Sequence, residues 1–277
     1  MLKYMKKYFG LAFIMAASVS AQAQHRIEKI WETDSVINMP ESVLPDIKNK
    51  VLYTSVMGNS PTDKDGIGGV AKIGLDGKVI DLDWITGLNA PKGLARLGNT
   101  MYAADLTEVV IIDIAKAKVI KKIPIEGAVF LNDITVSDKG IVYVSDTRKK
   151  LIHKIEKNIP SVYMENISGV NGLKAIGNDL FIAGGKTVMK ADSKKNVTNI
   201  AELPHGGDGL EPVGNGDFLL TSWSGYVYYV YANGKYDLLL DTTKEKINTA
   251  DLGYDPVKKI LYIPTFFKKS IMAYQLK

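Results

Sequence analysis

Cysteine is absent from all 277 residues of this chain. That absence excludes disulfides, thiolate metal sites and cysteine nucleophiles. Histidine is scarce as well: only His25, His153 and His205 occur, widely dispersed, which does not make a zinc site. No Gly-x-Ser-x-Gly elbow is present, and Ser42 and Ser222 have no histidine or acid at motif spacing, which argues against a serine hydrolase. No basic stripe with interleaved aromatics marks a nucleic-acid binder. The formal charge of +5 includes Lys3, Lys6 and Lys7, and residues 1–23 contain no acid, so the rest of the chain carries only about +2.

What is present begins with a targeting segment. Lys3, Lys6 and Lys7 form a basic start and Phe9 to Ala17 a short apolar stretch, too short to span a bilayer comfortably. Ala21-Gln22-Ala23 is a small-residue cleavage site, so residues 1–23 are expected to be a signal peptide and 24–277 a single mature domain. No cysteine follows the cleavage point, so no lipid or stable membrane anchor is expected, and the expected location is periplasmic or secreted. With 46% apolar residues the chain can build a substantial core. In an exported protein without disulfides, stability must come from burial and strand pairing.

A short pattern recurs about every 40 residues. It reads Pro40-Glu41-Ser42-Val43, Pro91-Lys92-Gly93-Leu94, Leu131-Asn132-Asp133-Ile134, Val170-Asn171-Gly172-Leu173, Gly207-Asp208-Gly209-Leu210 and Thr249-Ala250-Asp251-Leu252. A buried strand follows each copy: Val51–Ser55, Met101–Asp105, Val142–Asp146, Leu180–Gly184, Phe218–Ser222 and Leu261–Thr265. Turn signals such as Gly177-Asn178-Asp179 separate the two, and Asn233-Gly234 marks a further hairpin. Four strands per unit and six units predict an all-β, six-bladed β-propeller with four-stranded blades. The last unit is one strand short, and Ile27–Trp31 is predicted to complete it and close the ring. A β-sandwich is the alternative, but it does not explain six matched starts.

In a propeller the first strand of each blade lines the central channel, so the residues opening those strands meet at one mouth. Glu41, Asn132, Asn171 and Asp208 are hard oxygen donors suited to Ca²⁺, with Mg²⁺ or Mn²⁺ as alternatives. Lys92, in the same ring, could instead neutralise the carboxylates within a water-filled, salt-bridged channel. The residues alone leave both readings open.

These motifs resemble the SMP-30/gluconolactonase/LRE family of six-bladed propellers over essentially the whole mature chain. The resemblance implies one divalent cation held by Glu41, Asn171 of Asn171-Gly172 and Asp208 of Asp208-Gly209, with Ca²⁺ foremost and Mg²⁺, Mn²⁺ or Zn²⁺ as alternatives. It also places Asn132 in the substrate site. The chain departs from the family at Pro40-Glu41-Ser42, at Ile134, at Lys92 and at Phe130, where the family often has a substrate-binding arginine.

The implied activity is metal-dependent hydrolysis of a small lactone or ester. Asp208 would serve as the catalytic base; Lys92, Asn132, Phe130 and Trp223 would contact substrate, with Phe266 and Phe267 adding to an apolar wall. The second hypothesis is a non-catalytic propeller that binds a small ligand or a protein partner at the same mouth. The expected partner is a small molecule and the expected state a monomer. Of the remaining residues, His205 reads as a solvated loop histidine and His153 as a surface residue. Asp251 reads as a turn cap, or else as an outer-sphere substitute for the ligand missing at Ala250. The loop Asp63-Lys64-Asp65-Gly66 lacks the glutamate that would close a calcium loop.

Overall fold

The computed structural model describes residues 24–277; the expected signal peptide, residues 1–23, lies outside them. A first strand, β1 (Ile27–Glu32), runs along the outside, and twenty-three more follow as six antiparallel sheets. Blade 1 is β2 (Pro40–Asp46), β3 (Val51–Val56), β4 (Gly68–Gly74) and β5 (Val79–Leu88). Blade 2 is β6 (Pro91–Leu97), β7 (Thr100–Asp105), β8 (Glu108–Asp113) and β9 (Lys118–Pro124). Blade 3 is β10 (Leu131–Val136), β11 (Val142–Asp146), β12 (Leu151–Glu156) and β13 (Ile159–Met164). Blade 4 is β14 (Val170–Ile176), β15 (Asp179–Gly184), β16 (Thr187–Ala191) and β17 (Val197–Glu202). Blade 5 is β18 (Leu210–Gly214), β19 (Asp217–Ser222), β20 (Tyr226–Val230) and β21 (Tyr236–Asp241). Blade 6 is β22 (Gly253–Asp255), β23 (Ile260–Pro264), β24 (Ile271–Leu276) and, on its outer edge, β1. A single 3-10 turn, Phe266–Lys268, joins β23 to β24.

The predicted six-bladed fold and its closure by the N-terminal strand are therefore present. Strand β1 pairs antiparallel with β24 from Ile27↔Leu276 to Glu32↔Met272. This pairing covers the outer edge of β24 and joins the first and last strands in one blade, which closes the ring.

The core is divided rather than central. Six apolar clusters each lie between adjacent blades, for example Val109, Ile111 and Ile123 of blade 2 against Leu131, Ile134 and Val144 of blade 3. A blade is thus buried on both faces, and its inner and middle strands carry nearly continuous apolar runs, as in Val51–Val56 and Tyr226–Val230. That arrangement reserves the axis for polar residues.

The innermost strands are irregular at the repeat. Pairing of β2 with β3, β6 with β7, β10 with β11 and β14 with β15 slips between Pro40 and Val43, Pro91 and Leu94, Leu131 and Ile134, and Val170 and Leu173. Each slip leaves two residues unpaired, and a bulge of this kind re-aims its side chains. Hydroxyls clip the freed backbone: Ser55 Oγ accepts Ser42 N–H at 2.9 Å, Ser145 Oγ accepts Asp133 N–H at 3.0 Å and Thr221 Oγ1 accepts Gly209 N–H at 2.9 Å.

At the position after the first repeat residue, neighbouring blades approach closely. An ideal Cβ on Gly172 would lie 2.3 Å from the Asp208 carbonyl oxygen, and one on Gly209 would lie 2.4 Å from Asp251 Oδ1. Only a residue without a side chain fits there, which accounts for the Asn-Gly and Asp-Gly pairs. Elsewhere the same position bonds across: Asp133 Oδ2 accepts Leu173 N–H at 2.6 Å, and Ser42 Oγ donates to Asp251 Oδ2 at 2.5 Å.

Candidate functional site

The strand openings, bulged in blades 1 to 4, bring the first residues of five repeats to one end of the channel. Glu41, Lys92, Asn132, Asn171 and Asp208 line a single cavity of about 270 Å³ together with Pro61, Phe130, Trp223 and Phe266. Every residue named from the sequence for the site borders this space, apart from Phe267, whose side chain is 60% exposed. The sixth place is apolar for a structural reason. Ala250 is fully buried in a cluster with Met57, Ala90, Leu106 and Phe266, the last of which also lines the cavity.

The oxygen donors are buried and short of partners. Glu41 Oε2 and Asn132 Oδ1 accept no hydrogen bond among the described residues. Asn132 uses its Nδ2 on Thr147 Oγ1 at 3.1 Å, and Asn171 uses its Nδ2 on Asp208 Oδ1 at 2.5 Å. The two amides therefore spend their donors and keep their oxygens. Buried acceptors without a donor are costly unless something positive meets them.

The charge balance points the same way. Burial, reinforced by the charges of Asp208 and Asp251, holds the Glu41 carboxyl well above the usual range, while Lys92 pulls it back. Burial and then Asp251 push Asp208 up to about 8, opposed only by the Asn171 hydrogen bond. Burial lowers Lys92 to about 8, against the attraction of Glu41 and Asp105. Among the described residues no cluster of three or more His, Cys, Asp or Glu side chains could hold a metal. A cation here would rest on two carboxylates and amide oxygen, a donor set that fits a hard ion and not a soft one.

Lys92 is 2% exposed and makes no ion pair among the described residues. Its Nζ donates to the carbonyls of Pro61 at 2.9 Å and Ala90 at 3.0 Å, and stands 4.5 Å from the centroid of the Phe130 ring. The guanidinium of Arg148 lies 4.5 Å from the same ring. On the opposite side Trp223 meets Phe266 edge-on at 5.6 Å between ring centroids.

Several residues differ from their sequence reading. His153 is 3% exposed rather than on the surface, because β12 is packed on both sides. His205 is half-buried, stacked on Tyr226 at 3.7 Å and bonded through Nδ1 to Tyr228 Oη at 2.5 Å, and it does not line the cavity. Asp251 is neither a cap nor a member of the mouth: it bonds to Ser42 and faces a second cavity of about 210 Å³ further along the channel. There Asp133 and the Lys174–Glu211 pair, 2.6 Å apart, complete an internal polar network. Pro61 and Arg148 belong to loops and carry no repeat signal; the closed ring brings Pro61 to the mouth and Arg148 over the Phe130 ring.

No protein-family model matches the chain, and no curated protein matches it. Solved structures do. A streptogramin B lyase superposes with a TM-score of 0.67 at 9% identity, covering 92% of this chain and 98% of the other. A catalytically inactive virginiamycin B lyase from Staphylococcus aureus, with quinupristin, superposes with a TM-score of 0.64 at 10% identity, covering 91% and 99%. A nidogen/laminin complex chain matches with a TM-score of 0.59 at 17% identity over 73% of this chain and 80% of that one. At these identities the likeness establishes the propeller fold and nothing finer.

Proposed function

We propose that this protein is an exported, monomeric propeller hydrolase of the SMP-30/gluconolactonase type that opens a small lactone or ester at the Glu41–Asp208 mouth. The observation that carries the reading is the pair of buried, donorless acceptors, Glu41 Oε2 and Asn132 Oδ1, in one cavity with Asp208. Glu41, Asn171 and Asp208 would hold one divalent cation, Ca²⁺ first, with Mg²⁺, Mn²⁺ or Zn²⁺ as alternatives. When bound, the cation would supply Lewis-acid polarisation of the substrate carbonyl.

The chain's own residues supply the rest. Asp208 takes a proton from water as the water oxygen bonds to the carbonyl carbon. The acyl C–O bond then breaks, and the proton held on Asp208 passes to the leaving alkoxide oxygen. Lys92 has three N–H donors and uses two on backbone carbonyls, leaving one for the developing oxyanion. Asn132 and the Phe130 face orient the substrate, and Trp223 and Phe266 keep bulk water from the mouth.

The second reading, ligand binding without turnover, is favoured by the 2.5 Å bond from Asn171 to Asp208, which occupies an oxygen that a base would use. Screening lactones and aryl esters with each metal decides between them. The enzyme reading expects metal-dependent turnover that Asp208→Ala abolishes with the fold retained. No turnover with any metal, together with no metal-dependent rise in Tm, overturns it.

A further inference from the structure

We propose that the ligand of this mouth is a small organic anion: a carboxylate carried on a flat apolar or aromatic body. The inference rests on the reading above that this cavity is the functional mouth, and it names the class of molecule the cavity takes. Two cations, Lys92 and Arg148, each lie 4.5 Å from the one Phe130 ring, and neither has a carboxylate within ion-pair distance among the described residues. A cation over an aromatic face is held in place without being neutralised, so its charge stays available to a ligand. Lys92 is buried and anchored by two carbonyls, so it is built into the site and is not a wandering surface lysine.

Lys92 lines the cavity beside Glu41 and Asp208, and Arg148, which is exposed and does not line it, adds a second positive charge over the same Phe130 ring. Apart from the amides of Asn132 and Asn171, the remaining walls are apolar: Phe130, Pro61, Phe266 and the half-exposed Trp223. A polyhydroxylated sugar would have to desolvate its hydroxyls against these rings, whereas a flat apolar body stacks on them. The volume of about 270 Å³ restricts the ligand to the size of a single ring with a short side chain.

Calorimetric titration of the full mature chain with phenylacetate, 2-phenylethanol and acetate tests this. Each probe is run in chelator and again in Ca²⁺. Phenylacetate is expected to bind roughly tenfold or more tightly than either of the others, which lack the charge or the ring. Arg148 is exposed, so Arg148→Gln should fold normally. It is expected to weaken phenylacetate about threefold to tenfold and leave 2-phenylethanol unchanged. Trp223→Ala should weaken both ring-bearing probes and leave any acetate binding unchanged. Equal binding of 2-phenylethanol and phenylacetate, indifference of phenylacetate to Arg148→Gln, or no binding of phenylacetate overturns the proposal. The cation reading fails separately, through the absence of a Ca²⁺-dependent Tm rise without any probe, because anion preference in chelator depends on the side chains alone.

Discussion

Gly172 holds its place through backbone, not through flexibility. The Cβ it lacks would meet the Asp208 carbonyl oxygen at 2.3 Å, and neither partner is the movable end of a side chain. Gly172→Ala is therefore expected to force blades 4 and 5 apart and cost about 1–3 kcal/mol, read as a lower urea midpoint. Cation or ligand affinity at the neighbouring Asn171 and Asp208 should fall with it. An unchanged midpoint would show that the close approach is absent in solution.

His153 makes a second case at the level of one side chain. Burial holds its pKa below the ordinary value near 6.5, opposed by the charge of Asp146, and its Nε2 has no partner among the described residues. As pH falls through about 6.5 the unfolded chain takes up a proton that the folded chain resists, so stability drops. Thermal melts from pH 7.5 to 5.0 should show this slope in the native protein and a shallower one in His153→Leu. The sequence places His153 between Ile152 and Lys154, and alternation in a half-exposed strand would put it outside. A blade packed on both faces defeats that rule.

At the scale of the strand, legibility follows burial. The second strands of the blades were marked by unbroken apolar and aromatic runs; Val142–Asp146 is β11 to the residue, and Leu180–Gly184 misses β15 only by Asp179. The site was legible for a different reason: a bulged strand opening exposes a repeat position that packing does not constrain, so its polar residues stand out against the aliphatic frame. Asp251 and Asp133 were not legible as bridges, since nothing local tells a cross-blade hydrogen bond from a turn cap. Arg148, just past β11, carries no repeat signal at all. The clip residues give a prediction for the strand. Thr221→Val keeps the shape but deprives the buried Gly209 N–H of its acceptor, so a loss of about 1–3 kcal/mol is expected by chemical denaturation. Thr62→Val, in an exposed loop away from the clips, should change little.

The whole ring depends on how its ends are joined. Glu32, at the end of β1, accepts Ser270 Oγ at 2.6 Å, Lys268 Nζ at 2.7 Å and Lys29 Nζ at 2.6 Å. Burial alone would raise its pKa, but the bonds from Lys268, Lys29 and Ser270 outweigh it and hold the carboxyl at about 2. A carboxylate depressed in the folded state stabilises above its unfolded value and loses that contribution as pH falls through the folded one. The window runs from about 4.5 down to about 2. Lys268 belongs to the same 3-10 turn as Phe266, so the clasp that closes the propeller also positions an aromatic wall of the mouth. Glu32→Gln is expected to lower stability at neutral pH by about 1 kcal/mol, allowing for solvent at the half-buried pair. It should also flatten the acid limb of a Tm-against-pH curve below pH 4.5. In the native protein, Trp223 emission should shift over the same acid range as Phe266 loosens beside it, measured against a Trp223→Phe control that keeps Trp31 and Trp84. Identical acid limbs for the native chain and Glu32→Gln would place the closure of the ring in the strand pairing of β1 with β24 alone, and not in the charged clasp.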